Sequence, residues 1–143
     1  MRPIASTKFA AARFNFGDNF LLPNVNLSTN GITSSVDYSG NTLPELIPNA
    51  NVRIIRSVIN ATNTLIYGSD TKAKQIALLF YDEATGALTG SHYLGFSNPF
   101  EIAGLVQTAD EGLAVCGTTY LAGRFPRICL FKISSNDLAE MIK

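Results

Sequence analysis

The chain has 143 residues, 46% hydrophobic and 15% charged, and its 11 basic and 11 acidic side chains cancel to zero net charge. That balance removes the basic footprint a nucleic-acid binder needs and offers little attraction to an anionic membrane surface. No apolar run approaches the roughly eighteen residues of a bilayer span, so no membrane insertion is expected.

In chain order, Met1-Arg2-Pro3 opens without the apolar core of a signal peptide. Either the protein stays inside the cell or a leader has been removed, and the second is the reading taken. Alternation, β-branched and aromatic residues, and punctuation by Gly, Asn, Asp and Pro predict strands at Phe9–Asn15, Ile32–Tyr38, Val52–Ile59, Thr64–Ser69, Gln75–Asp82, Ala87–Leu94, Glu101–Gln107, Leu113–Thr119 and Arg127–Ile133. Asn15–Thr29, with Pro23 and several Asn, reads as irregular coil holding one short strand. Asn136–Lys143 is ambiguous, since Asn136 or Asp137 could cap a helix; its position favours an outer strand.

Two stretches copy each other. Val58, Ile66, Tyr67 and Gly68 align with Val106, Val115, Cys116 and Gly117, with one residue of slack, and Ile76–Tyr81 aligns with Ile128–Ile133. Gly31–Gly40 resembles Gly86–Gly95, a partial third copy. The division is therefore a single β-repeat domain: 1–42 a partial repeat, 43–95 a repeat and 96–143 a repeat. Self-similarity at about fifty residues marks a propeller or solenoid array. Each full copy reads as a four-stranded antiparallel meander whose first strand is the most uniformly apolar and whose last alternates. The fold class is thus all-β, built of β-propeller blades, two with a partial third; a small β-sandwich is the alternative.

The hairpin tips Asp82–Gly86 and Thr108–Gly112 each end in a glycine suited to positive φ. Their acidic pairs, Asp82 with Glu83 and Asp110 with Glu111, have no third ligand at a spacing that closes a metal shell, so they read as solvated turns and no metal or cofactor is expected.

The run Val106–Thr119 followed by Ile128–Ile133 resembles the bacterial propeller repeats in which a strand, a Thr-x-Asp-Gly-Gly type turn, a strand ending Ala-Gly-Thr and a strand ending Lys-hydrophobe recur. Glu111 stands where that pattern has Gly, and Cys116 where it has Ala. The resemblance covers Leu43–Lys143 and implies a blade fold in an extracellular or cell-surface protein of Bacteroidetes-like bacteria. It implies no reaction, because propellers host enzymes, lectins and adaptors alike. Closed propellers need about four to eight blades. Two blades and a part imply either a longer chain or a homo-oligomer that completes a ring.

A hairpin centred near Ala122 and Gly123 would set Cys116 directly opposite Cys129 on one face. A cross-strand disulfide and two buried free thiols both fit; zinc does not, with two Cys and one His in the chain. His92 is followed by no catalytic frame, and Ser91 beside it points to the other strand face, so no catalytic residue is assigned. Tyr38, Tyr67, Tyr81, Tyr93 and Tyr120 could stack sugars but fit better between sheets with their hydroxyls at the rim. Asn26-Leu27-Ser28 and Asn60-Ala61-Thr62 spell glycosylation sequons, which in a bacterial chain are chance.

Two functions follow. The first is a non-catalytic interaction module that binds protein or glycan through the loops Ser69–Lys74, Gly95–Phe100 and Tyr120–Arg124, with Asp70, Lys72, Lys74, Asn98 and Arg124 as ligand-binding residues. The second is a fragment or subunit of a propeller hydrolase or lyase with an axial site.

Overall fold

The computed structural model describes residues 2–4, 8–15, 17–28, 31–34, 43–95, 98–121 and 125–142. These residues are mostly β, with one short helix. β1 (Arg2–Pro3), β2 (Lys8–Asn15), β3 (Asp18–Ser28) and β4 (Gly31–Ser34) form a first antiparallel sheet in that order. β5 (Arg53–Ile59), β6 (Thr62–Asp70), β7 (Ile76–Asp82) and β8 (Leu88–Leu94) form a central meander. β9 (Phe100–Gln107), β10 (Leu113–Leu121) and β11 (Phe125–Ile133) form a third sheet in the order β11-β10-β9, followed by α1 (Ser135–Met141).

β7 explains the layering. It is apolar at nearly every position, the pattern of a strand covered on both faces. Ile76, Leu78 and Phe80, each 0% exposed, pack with Ile102, Leu113, Val115 and Ile133 of the third sheet and Leu138 of α1. Leu79 and Tyr81 point the other way and pack with Ala10 and Leu21 of the first sheet. Among the described residues three layers therefore enclose two cores, and Ala11, Leu22 and Val25 of the first sheet form a third buried cluster. The inside-to-outside gradient differs from expectation: the first strand of the meander, β5, lies at a sheet edge with Arg53, Arg56 and Val58 exposed, while the third strand is innermost. The last strand, β8, alternates as expected.

Four local readings are corrected. Asn15–Thr29 is not coil but chiefly β3, because the register slips between Phe9 and Ala11 where Pro23 sits, and a bulge demands no ladder N–H from proline. Cys116 and Cys129 are not opposite: Leu121 pairs with Phe125, so Gly117 faces Cys129 and Cys116 faces Leu130. A one-residue slip sends the two sulfurs to opposite faces, and both are free thiols. The last segment is helical, since the Ser134 side chain accepts a hydrogen bond from the Asp137 N–H at 3.2 Å and Leu138 is buried against the core. At the Thr108–Gly112 tip the positive φ, 64°, belongs to Glu111 and not to Gly112. Gly112 is needed for space, as a Cβ there would lie 2.4 Å from the Ile133 carbonyl oxygen.

The β5–β6 tip carries a further strain. Asn60 and Ala61 both take positive φ, 52° and 60°, the geometry of a two-residue hairpin turn that favours Asn-Gly. Asn tolerates this region; Ala does not. Ala61→Gly is expected to stabilise the fold by about 0.5–1 kcal/mol, read as a rise in Tm of a few degrees.

Candidate functional site

The β6–β7 turn, the β8–β9 connection and the end of β10 meet at one end of the strands. The β6–β7 turn is closed by Thr71, whose N–H and hydroxyl both donate to the Gln75 carbonyl at 3.0 Å while its hydroxyl oxygen accepts from the Gln75 N–H at 3.1 Å. Lys74 takes positive φ, 64°, which swings its carbonyl toward the β8–β9 connection, where it accepts from the Phe100 N–H at 2.9 Å. The Pro99 carbonyl then accepts from the Thr119 hydroxyl at 3.0 Å and the Tyr120 N–H at 3.3 Å, tying in the end of β10. Gln75 Nε2 donates to the Gly95 carbonyl at 2.8 Å.

On this platform Lys72 and Lys74 are exposed and Asn98 is half-buried. Arg124 lies outside the described residues. Asp70 is occupied within the chain: its Oδ1 accepts from the Ile102 N–H at 2.7 Å, joining the central sheet to the third beside the bulge between Cys116 and Gly117. Burial pushes its carboxyl up, more than the Ile102 hydrogen bond holds it down. A raised folded pKa means that the folded state binds the proton more tightly, so this group's contribution is present below pH 3.8 and is lost as pH rises through the folded pKa. Asp70→Asn, which keeps the acceptor and drops the charge, is expected to flatten that pH dependence without loss of stability at neutral pH. Asp70→Ala should cost about 1–3 kcal/mol, because the Ile102 N–H loses its partner. Denaturant midpoints between pH 3 and 8, taken about a unit apart, separate the two.

Beside Lys72 a cleft of about 300 Å³ is lined by Glu45, Thr71, Lys72, Ala73, Gln75 and Tyr93. The Tyr93 hydroxyl donates to Glu45 Oε2 at 2.6 Å, and that carboxylate holds the phenol up to about 12, with burial adding to it. Glu45 carries no sequence signal, being 48 residues from the tyrosine it meets. It reaches the site because Lys72 N–H donates to the Glu45 carbonyl at 2.9 Å and Leu46 bridges to Thr71.

The other tyrosines divide. Tyr67 and Tyr81 stack edge-on between the first and central sheets, ring centroids 5.3 Å apart, and are unavailable to a sugar. The Tyr67 hydroxyl is buried rather than at a rim, and burial pushes it up. Tyr38 lies outside the described residues.

The larger cleft, about 450 Å³ at the opposite strand ends, is lined by Ile4, Ala61, Asn63 and the Asp82–Ala84 turn among others. Its carboxylates are already engaged. Glu83 forms a paired contact with Arg56, and Asp82 Oδ1 accepts from the Ala84 N–H at 2.8 Å. Asp110 is likewise held by Thr108 and Lys132, which bring its carboxyl down to about 2, the Thr108 hydroxyl acting most strongly. His92 and Ser91 occupy adjacent positions on β8, opposite Leu78 and Leu79, and so face opposite ways. Among the described residues no group of three or more His, Cys, Asp or Glu is arranged to hold a metal ion, and no helix is long and apolar enough to cross a membrane.

No family model matches this chain, and no curated protein or solved structure matches it either.

Proposed function

We propose that the chain is a non-catalytic interaction module whose sheets serve as propeller-type blades in a secreted or cell-surface bacterial protein, binding a protein or glycan at the loop end. The observation that carries this reading is the joining of the β6–β7 turn, the β8–β9 connection and the end of β10 into one platform through the Lys74 and Pro99 carbonyls. Loops positioned by a rigid sheet are where recognition concentrates. Lys72 and Lys74 supply exposed donors, Glu45 an acceptor, and Tyr93, 39% exposed, an aromatic surface beside them. The extracellular setting is what the resemblance of Val106–Thr119 and Ile128–Ile133 to secreted bacterial propeller repeats implies.

The test is a glycan microarray probed with the chain and with its Lys72→Ala, Lys74→Ala and Asn98→Ala variants. At least one glycan should be retained, and loss of a charged hydrogen bond should weaken it about tenfold or more. Retention unchanged in all three variants removes the site from this loop end, and an array with nothing retained removes the glycan-binding form of the proposal.

A further inference from the structure

We propose that the cleft between Glu45 and Tyr93 binds the primary ammonium group of an amino sugar, with Glu45 receiving the ammonium and residues 43–50 acting as the strap that holds that carboxylate in place. This inference rests on the glycan form of the loop-end reading and names its ligand.

The carboxylate carries the argument. Glu45 is half-buried, and its Oε2 accepts from the Tyr93 hydroxyl at 2.6 Å. That bond orients the carboxylate without neutralising it. Among the described residues the ion pairs join Arg56 to Glu83 and Lys132 to Asp110, and none reaches Glu45. Lys72 lines the same cleft and is exposed, yet it makes no ion pair with Glu45 either. A partly desolvated anion without a counter-ion is stabilised by a cation that brings its own hydrogen-bond donors.

The surrounding chain fixes Glu45 on both sides. Asn19 of β3 is 6% exposed, and both ends of its amide are partnered by the strap: Nδ2 donates to the Ile47 carbonyl at 2.9 Å, and Oδ1 accepts from the Ala50 N–H at 3.2 Å. The Asn19 carbonyl accepts from the Leu43 N–H at 3.0 Å. From the central sheet, the Lys72 N–H donates to the Glu45 carbonyl at 2.9 Å and the Asp70 carbonyl accepts from the Ile47 N–H at 3.3 Å. Glu45 therefore lies between anchors on two sheets. A carboxylate held this way is preorganised for a ligand, so less ordering is lost on binding.

The neighbours select what carries the amine. The Tyr93 ring is 39% exposed and its hydroxyl is fixed by Glu45, so it presents a steady aromatic surface beside the charge. An ammonium is attracted to such a surface, and the C–H face of a sugar ring packs on it. Lys72 adds donors for sugar hydroxyls. A lysine side chain from a partner protein would satisfy Glu45 but bring only repulsion to Lys72; an amino sugar uses both groups. The cleft, about 300 Å³, is at the small end of ligand pockets, which matches one sugar ring better than a longer segment.

Calorimetric titration at about pH 6, with a glucosamine tetrasaccharide and with its fully N-acetylated counterpart, tests the assignment. The amine form should bind at least about tenfold more tightly, and Glu45→Gln, which keeps an acceptor for Tyr93 and removes the charge, should erase that difference. Glu111→Gln, at an exposed carboxylate on the β9–β10 tip, should leave it intact. Asn19→Ala should weaken binding of the amine form and, in step, let the Tyr93 phenol fall from about 12 towards 10, followed by NMR of ring-labelled tyrosine. Equal binding of the two sugars, or a preference that survives Glu45→Gln, overturns the amine site while leaving a glycan-binding surface in place. Binding of neither sugar overturns it as well, and the glycan array then tells a wrong ligand from a wrong surface. A pentalysine peptide that binds more tightly than the amine sugar assigns Glu45 to a protein partner and overturns the sugar. Unchanged affinity and an unchanged phenol in Asn19→Ala overturn the strap.

Discussion

Phe80→Ala is expected to lower the unfolding free energy by about 3–5 kcal/mol, measured as a shifted denaturant midpoint with an unchanged slope. The ring is 0% exposed and belongs to the core cluster that also holds Leu113 and Val115 of the third sheet and Leu138 of α1. Those residues sit on three different elements, so closing the cavity would need their packing to shift together. Against the 5–15 kcal/mol typical of a domain, that loss leaves the fold marginal. A shift below about 1 kcal/mol would mean that the packing of the central and third sheets around β7 is wrong.

Gly117→Ala should cost about 1–3 kcal/mol, towards the upper end. A Cβ there would lie 2.3 Å from the Glu101 carbonyl oxygen and 3.3 Å from Ile76 Cδ1. The side-chain neighbour can rotate. The carbonyl belongs to β9, paired directly beside the register slip at Cys116 and Gly117, and can yield only if the strands part. Since Asp70 ties the Ile102 N–H at this same place, the substitution should also raise hydrogen exchange at that amide selectively. Uniform exchange across β9 and β10 would show that the strain is not local.

How much of this was written in the chain can be judged residue by residue. The strands β5 to β11 are legible from period-two alternation and from turn chemistry, and the Asp82–Gly86 tip has the glycine at positive φ that its spelling implies. Pro23 misled because a breaker in isolation is compatible with a strand once a bulge receives it. The C-terminal helix escaped because repeat position argued for a strand while the cap that decides the matter, Ser134, lies just ahead of the residues weighed. Of the ligand-binding candidates, Lys72, Lys74 and Asn98 lie on one platform, but Asp70 spends its carboxylate on Ile102, a partner that only the approach of two sheets supplies. Glu45 was invisible for the same reason.

The sequence alone therefore determined that the chain would form antiparallel strands, where most of its turns fall, and that it carries no charge imbalance. These depend on local sterics, alternation and composition, which a linear reading contains. Tertiary structure decided which strand is innermost, which face Cys116 and Leu130 occupy, and which polar atoms are spent internally. A shift of one residue in register, too small to alter any local pattern, inverts every side chain of a strand between core and solvent.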